Sequence, residues 1–251
     1  MKMKNYKFVI QYEGTRYQGW QKQVTTEHTI QGKLEAVLSK MTGNFVEIAG
    51  SGRTDAGVHA YGQVANAHLE TNLSPKEILE YMNRYLPEDI AVISVKEVGE
   101  RFHARLNASE KTYLYRVLCS DVPHIFDRRY VYVMPRKLNV QAMREAAEYL
   151  KGTHDFKGFS TKKKMKKSTV RTITDIQILC EGDEVRFLYK GNGFLYHMVR
   201  ILTGTLLEIG TGERNVNSIA EIFESKNREL AGELVPGKGL TLMEVKYGKE
   251  K

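Results

Sequence analysis

The chain has 251 residues, 41% hydrophobic and 27% charged, a balance that excludes disorder over most of its length and leaves room for one large domain or two modest ones. Its formal charge of +8 favours an anionic partner, nucleic acid first, because basic surfaces bind phosphate backbones largely by counterion release, although a solvated basic surface has the same composition. The two cysteines, Cys119 and Cys180, are far apart and argue against a disulfide framework or a cysteine-held zinc site.

Residues 4–12 alternate, with Tyr6, Phe8, Ile10 and Tyr12 on one side, and predict a strand. Ile30, Leu34, Val37, Leu38 and Met41 recur at helical spacing between Thr29, a candidate N-cap, and Gly43. Phe45–Ala49 and Gly62–Leu69 read as strands flanking a loop, Gly50–Ala60. Ser74-Pro75-Lys76-Glu77 is a capping box with proline at the first helical position. The helix it opens is stopped by Pro87, and a strand follows over Ile90–Val98. The order β-α-β-β-α-β is that of a split βαβ, or ferredoxin-like, unit.

The second half repeats the plan with insertions. Tyr113, Tyr115, Val117 and Cys119 alternate as a strand that Val131–Met134 is placed to pair with. A helix over Val140–Leu150, capped by Asn139, precedes a hairpin of Thr172–Cys180 and Glu184–Lys190 around Glu181-Gly182-Asp183. A long helix over Phe194–Ile209, a weaker one over Ser218–Ser225 and a strand over Leu240–Tyr247 complete the chain. The expected fold is α+β: two ferredoxin-like halves, 1–106 and 107–251, with antiparallel sheets and a basic cleft between them, where binding sites are favoured. A lysine-rich insertion occupies 157–171; Lys162, Lys163, Lys164, Lys166 and Lys167 lie in it with no acid from Ser160 to Arg171, either as a solvated loop or as a grip on phosphates. The Phe194–Ile209 stretch is too short and too polar to span a bilayer, and Met1–Ile10 has no signal-peptide core, so the cytoplasm is expected.

Chemistry concentrates in Gly50–Ala60. Gly50, Gly52 and Gly57 permit positive φ and close backbone approach, while Arg53, Thr54, Asp55 and His59 project from a tight segment. Turns this rich in glycine and aspartate also occur with no function. The loop is neither a phosphate-binding loop nor a dinucleotide fingerprint, and it lacks the paired carboxylates of a glycosidase. Arg200 sits among apolar helix positions; a buried guanidinium needs a partner, and a carboxylate such as Asp55 would satisfy it. The alternative is one solvated helix edge shared by His197, Arg200 and Gly204.

The segment Gly52-Arg53-Thr54-Asp55-Ala56-Gly57-Val58-His59-Ala60 resembles the signature of the tRNA pseudouridine synthase A family. Further segments resemble that family in order along nearly the whole chain: Tyr12-Glu13-Gly14-Thr15-Arg16-Tyr17-Gln18-Gly19-Trp20-Gln21, Arg101–Arg105, Lys111–Arg116, Phe194–Arg200 and Gly239–Leu242. The resemblance implies isomerisation of uridine to pseudouridine in the tRNA anticodon stem-loop (the family's positions 38–40), with no cofactor or metal and with a homodimeric enzyme. It implies that Asp55 is the catalytic aspartate, acting as a nucleophile on base or sugar or as a base. Tyr113 matches the family's active-site tyrosine; on residues alone, a core tyrosine on an alternating strand is the favoured reading for it and for Tyr115 on the same face. Arg53 and His59 are expected to face RNA or order the loop, and Arg101, Arg105 and the five lysines to meet its backbone. The stretch His154–Ser160 and the lysine run depart from the family pattern, so a paralogue modifying another RNA position would share this core. Two rivals differ in class: a non-catalytic RNA-binding module, against which no aromatic RNP1 match is found, and a hydrolase, which needs a metal cluster or second carboxylate.

Overall fold

The computed structural model describes residues 2–248 apart from 123, 163, 165 and 166. Its elements in chain order are β1 (Met3–Tyr12), α1 (Ile30–Thr42), β2 (Ala49–Gly50), β3 (His59–Glu70), α2 (Pro75–Tyr85), β4 (Ile90–Val98), β5 (Ala108–Leu118), β6 (Tyr132–Val133), α3 (Val140–Leu150), β7 (Gly152–Asp155), β8 (Val170–Glu181), β9 (Glu184–Gly191), α4 (Met198–Gly210), α5 (Ser218–Ser225) and β10 (Leu240–Tyr247). The protein is thus a mixed α/β structure. It divides into two compact units, one formed by the chain up to Ser109 together with the strand from Thr241, the other by Glu110–Leu240.

In the first unit the strand order is β4-β1-β3, with β1 antiparallel to both neighbours and the short β2 antiparallel to β3. Tyr6, Phe8, Ile10 and Tyr12 are all buried, as are Ile30, Leu34 and Leu38 of α1 and Ile78 and Met82 of α2. Burial of such side chains contributes roughly 1.5–3 kcal/mol each. The caps are those expected: Thr29 accepts from the Gly32 amide, Gly43 closes α1 at φ 75°, and Ser74 and Glu77 form a reciprocal capping box.

Four expectations are corrected. The sheets are not wholly antiparallel: β10 runs parallel to β3 (Thr241↔His59, Leu242↔Ala60) and β6 parallel to β5 (Val117↔Tyr132). For the same reason β10 belongs to the first unit although chain order puts it in the second half. Gly62 makes this docking possible, because a Cβ there would lie 2.5 Å from the Met243 carbonyl oxygen. The strand expected over Phe45–Ala49 shrinks to Ala49–Gly50 and leaves Phe45 exposed. Side chains of α1 take its amides instead: Val46 N–H donates to Ser39 Oγ at 3.0 Å and Ile48 N–H to Glu35 Oε1 at 3.2 Å. Finally, α4 begins at Met198 and not at Phe194, because His197 adopts a left-handed conformation, φ 65°, that no helix can continue through.

The second unit orders its strands β5-β9-β8-β7, all antiparallel. The β8–β9 hairpin turns at Gly182, φ 57°. Tyr115, Val117, Phe187 and Tyr189 are buried, together with Met143, Ala146 and Leu150 of α3 and almost every residue of α4. Among the described residues no helix is long and apolar enough to cross a membrane.

Candidate active site

The Gly50–Ala60 loop is fastened from beneath by a buried polar network. Thr54 is 7% exposed, and its hydroxyl pairs with that of Tyr12 at 2.8 Å. Gln63 spans the loop's base: its amide nitrogen donates to the Gly52 carbonyl at 3.0 Å, and its oxygen accepts from Ser51 Oγ at 2.8 Å. Burial pushes the Tyr12 phenol up to about 12, with the hydrogen bonds to Thr54 and Gln63 opposing weakly, so it remains a neutral hydroxyl.

The opening segment clamps the same loop from above. Trp20 N–H donates to the Thr54 carbonyl at 3.0 Å and Gly57 N–H to that of Tyr17 at 3.3 Å. Two glycines permit this approach. A Cβ on Gly14 would sit 2.0 Å from the Val58 carbonyl oxygen, and one on Gly19 (φ 92°) would sit 2.7 Å from that of Thr54. Two motifs that lie apart along the chain are therefore one packed structure.

On this support Asp55 is half-buried, at the start of a turn in which Val58 N–H donates to its carbonyl at 3.2 Å and Gly57 takes φ 73°. Arg53 is exposed. His59 is only 2% exposed, and its Nδ1 accepts from Gly14 N–H at 2.9 Å, which favours the loop-ordering role of the two that sequence left open. Arg101 and Arg105 are exposed on the segment after β4. Asp55, Arg53 and His59 thus share one loop, and all five residues belong to the first unit.

The second unit carries the others. Tyr113 lies on β5 opposite Tyr189, 7% exposed, its ring edge-on to Phe194 at 5.2 Å. Tyr115 is fully buried; its hydroxyl donates to the Pro236 carbonyl at 2.8 Å, and burial drives its acidity far below that of a free phenol. Arg200 is half-buried in the first turn of α4, and its Nε donates to the Val235 carbonyl at 2.7 Å. The Val235–Gly239 stretch therefore braces both Arg200 and Tyr115, whose ring meets Gly239 where a Cβ would lie 2.7 Å away. His197 stacks on Tyr196 and pairs through Nδ1 with the Thr161 hydroxyl at 2.8 Å, tying the start of the lysine run to the start of α4. Lys162, Lys164 and Lys167 are exposed; Lys163 and Lys166 lie outside the described residues.

Sequence reasoning missed the supporting role of Tyr12, Ser51 and Gln63, and it expected Thr54 to project from the loop where the structure buries it. The available signal was Gln63 itself, a polar residue opposite Ile10, on the face that carries the core positions of β1.

A profile of the tRNA pseudouridine synthase family matches residues 8–107 and 146–248, stretches that contain the whole loop and its clamp, and the chain belongs to this family of RNA-modifying isomerases. Tyr113 falls between the two matched stretches. Among the relatives, a tRNA pseudouridine synthase A of a Bacillus species is 50% identical over 230 residues, covering 92% of this chain and 94% of the relative. A tRNA pseudouridine synthase A 2 of Bacillus cereus is 44% identical and a tRNA pseudouridine synthase A of Clostridium kluyveri 45% identical; each alignment covers 98% of this chain and 100% of the relative.

Proposed function

We propose that this protein isomerises uridine to pseudouridine in the anticodon stem-loop of tRNA, with Asp55 as the catalytic carboxylate. The observation that carries the reading is the fit between family and geometry: the segment bearing Asp55 lies within the matched stretch, and it is held on both sides while the aspartate stays half-buried and Arg53 exposed. The reaction breaks the N1–C1′ bond and forms a C5–C1′ bond; C5 loses a proton and N1 gains one. Atoms balance without a co-reactant. Asp55 serves as nucleophile or base in that exchange.

A uridine in a stem must be everted to be reached, and Arg53 is the exposed side chain beside Asp55 suited to the vacated space or an adjoining phosphate. Tyr113 offers a ring for the target base, His59 orders the loop, and Arg200 supplies a guanidinium to hold a carboxylate ionised. Arg101, Arg105 and the lysines of 162–167 meet the RNA backbone. Two ferredoxin-like halves with a basic cleft, a homodimeric assembly and a cytoplasmic location complete the proposal; sedimentation of the purified protein tests the dimer.

The decisive experiment uses tRNA tritiated at uridine C5. Wild-type protein releases tritium to water, and Asp55→Ala releases none while binding the same tRNA. Release by the variant at the wild-type rate removes Asp55 from the chemistry.

A further inference from the structure

The pattern of β3 contains an anomaly. A strand with one face on the core and one in water should alternate, yet Gly62–Ala67 is buried at every residue. On the second face the segment that follows β4 lies against Asn66, since Ala104 is fully buried and its amide is bound by that side chain, while Gly62 meets the backbone of β10.

Two asparagines make that attachment. Asn5 on β1 and Asn66 on β3 are 1% and 5% exposed, and the pairing of Lys7 with Asn66 puts both on the face of the sheet opposite Tyr6 and Phe8. Asn5 Nδ2 donates to the carbonyls of Phe102 at 2.9 Å, Gly99 at 3.1 Å and Glu100 at 3.4 Å. Asn66 Nδ2 donates to Asn5 Oδ1 at 3.1 Å and to the Phe102 carbonyl at 3.4 Å, while its Oδ1 accepts from Ala104 N–H at 2.8 Å. Each amide uses both its nitrogen and its oxygen, and apart from the bond joining them every bond goes to the backbone of Gly99–Ala104. Tyr247 on β10 closes the clasp, its hydroxyl donating to the Ala104 carbonyl at 2.7 Å, and the Lys7 ammonium lies 5.4 Å from the centres of both the Phe102 and Tyr247 rings.

Packing alone does not call for this arrangement. Apolar residues at positions 5 and 66 would cover β3 but leave the Ala104 amide and the Phe102 carbonyl without these partners, whereas the two buried amides hold the backbone of one segment by five hydrogen bonds at four groups. The cations that the segment displays to solvent are Arg101 and Arg105, on either side of the clasped residues 102 and 104, while the neighbouring exposed Glu100 lies 3.2 Å from His68 Nε2. We infer that Asn5 and Asn66 are positioning residues for RNA binding: they hold the 99–105 backbone in the one conformation that aims both guanidinium groups at phosphates. This rests on the proposal that Arg101 and Arg105 meet the RNA backbone. A cation that must be ordered on binding costs conformational entropy; one held on a fixed backbone costs less.

The test measures tRNA affinity against salt concentration, together with kcat and KM from tritium release, for full-length Arg101→Ala/Arg105→Ala, Asn5→Asp and Asn5→Ser proteins. In Asn5→Asp a carboxylate faces three carbonyls. Asn5→Ser keeps one donor and carries the test should the aspartate variant fail to fold. The arginine pair is expected to lower the slope of log affinity against log salt by about two, near 0.9 for each phosphate no longer neutralised. A folded Asn5 variant lowers it by about one, with KM rising roughly tenfold and kcat falling less than twofold. If the arginine variant leaves the slope unchanged, the RNA-backbone role of these arginines fails and the inference falls with it. If the arginine variant lowers the slope and the Asn5 variants do not, or if they lose kcat without raising KM, the clasp is structural only and the inference alone is overturned.

Discussion

At the scale of single residues, the loop that bears Asp55 depends on side chains buried beneath it. Tyr12 and Thr54 share a buried hydrogen bond directly behind Asp55. Tyr12→Phe and Thr54→Val should each cost about 1–2 kcal/mol of stability, because the remaining hydroxyl is left buried without that partner. Both should lower kcat several-fold with KM nearly unchanged, and the double variant should be little worse than either single one, since the two act through one bond. Additive losses would mean that they act separately. Gly19→Ala should be harsher: positive φ alone costs about 1–2 kcal/mol, and the added methyl drives the Thr54 carbonyl away. Denaturant melts and tritium release on the same preparation report both effects. The aspartate, its arginine and the loop glycines were recognisable in the sequence because they are contiguous. The partners that Tyr12 and Gln63 take were not, because Tyr12 meets Thr54 across 42 residues of chain and Gln63 meets Gly52 across 11.

At the scale of elements, local signals were read well wherever the cause is local. The capping box at Ser74 formed as its spacing requires, and Ser74→Ala should remove about 1 kcal/mol, lowering Tm by roughly 2–4 °C without altering activity at 25 °C. The expected strand at Phe45 and the early start of α4 failed for reasons seated elsewhere, in the α1 side chains Ser39 and Glu35 and in the left-handed backbone of His197. The edge of the second unit carries an ionic joint: Glu184 accepts from Arg116 Nε at 2.7 Å, and Arg116 also reaches Asp127 at 3.3 Å. The Arg116 guanidinium, then Arg186, holds the Glu184 carboxyl down to about 2 against the cost of its burial. A carboxylate depressed in the folded state stabilises it fully above the unfolded pKa of about 4.3, and that contribution fades as pH falls toward 2. Thermal melts between pH 5 and 2 should therefore decline less steeply for Glu184→Gln than for wild type; parallel curves would assign the acid sensitivity to other groups.

At the scale of the whole molecule, a charge of +8 and a run of lysines of which Lys162, Lys164 and Lys167 are exposed predict tRNA affinity that falls steeply with salt. Neutralising Lys162, Lys163, Lys164, Lys166 and Lys167 together should flatten that slope, and an unaltered slope would make the run bystander surface. Charge, periodicity, caps and the Arg53-Thr54-Asp55 loop were set by the sequence itself, because composition, helical spacing and capping act over a few residues and leave a local trace. Which strand β10 joins, why β3 is buried on both faces, and what fixes the loop that bears Asp55 were decided only in three dimensions. Those outcomes depend on which backbone edges and buried polar groups remain unsatisfied once the elements have packed, and that accounting exists only in the folded chain.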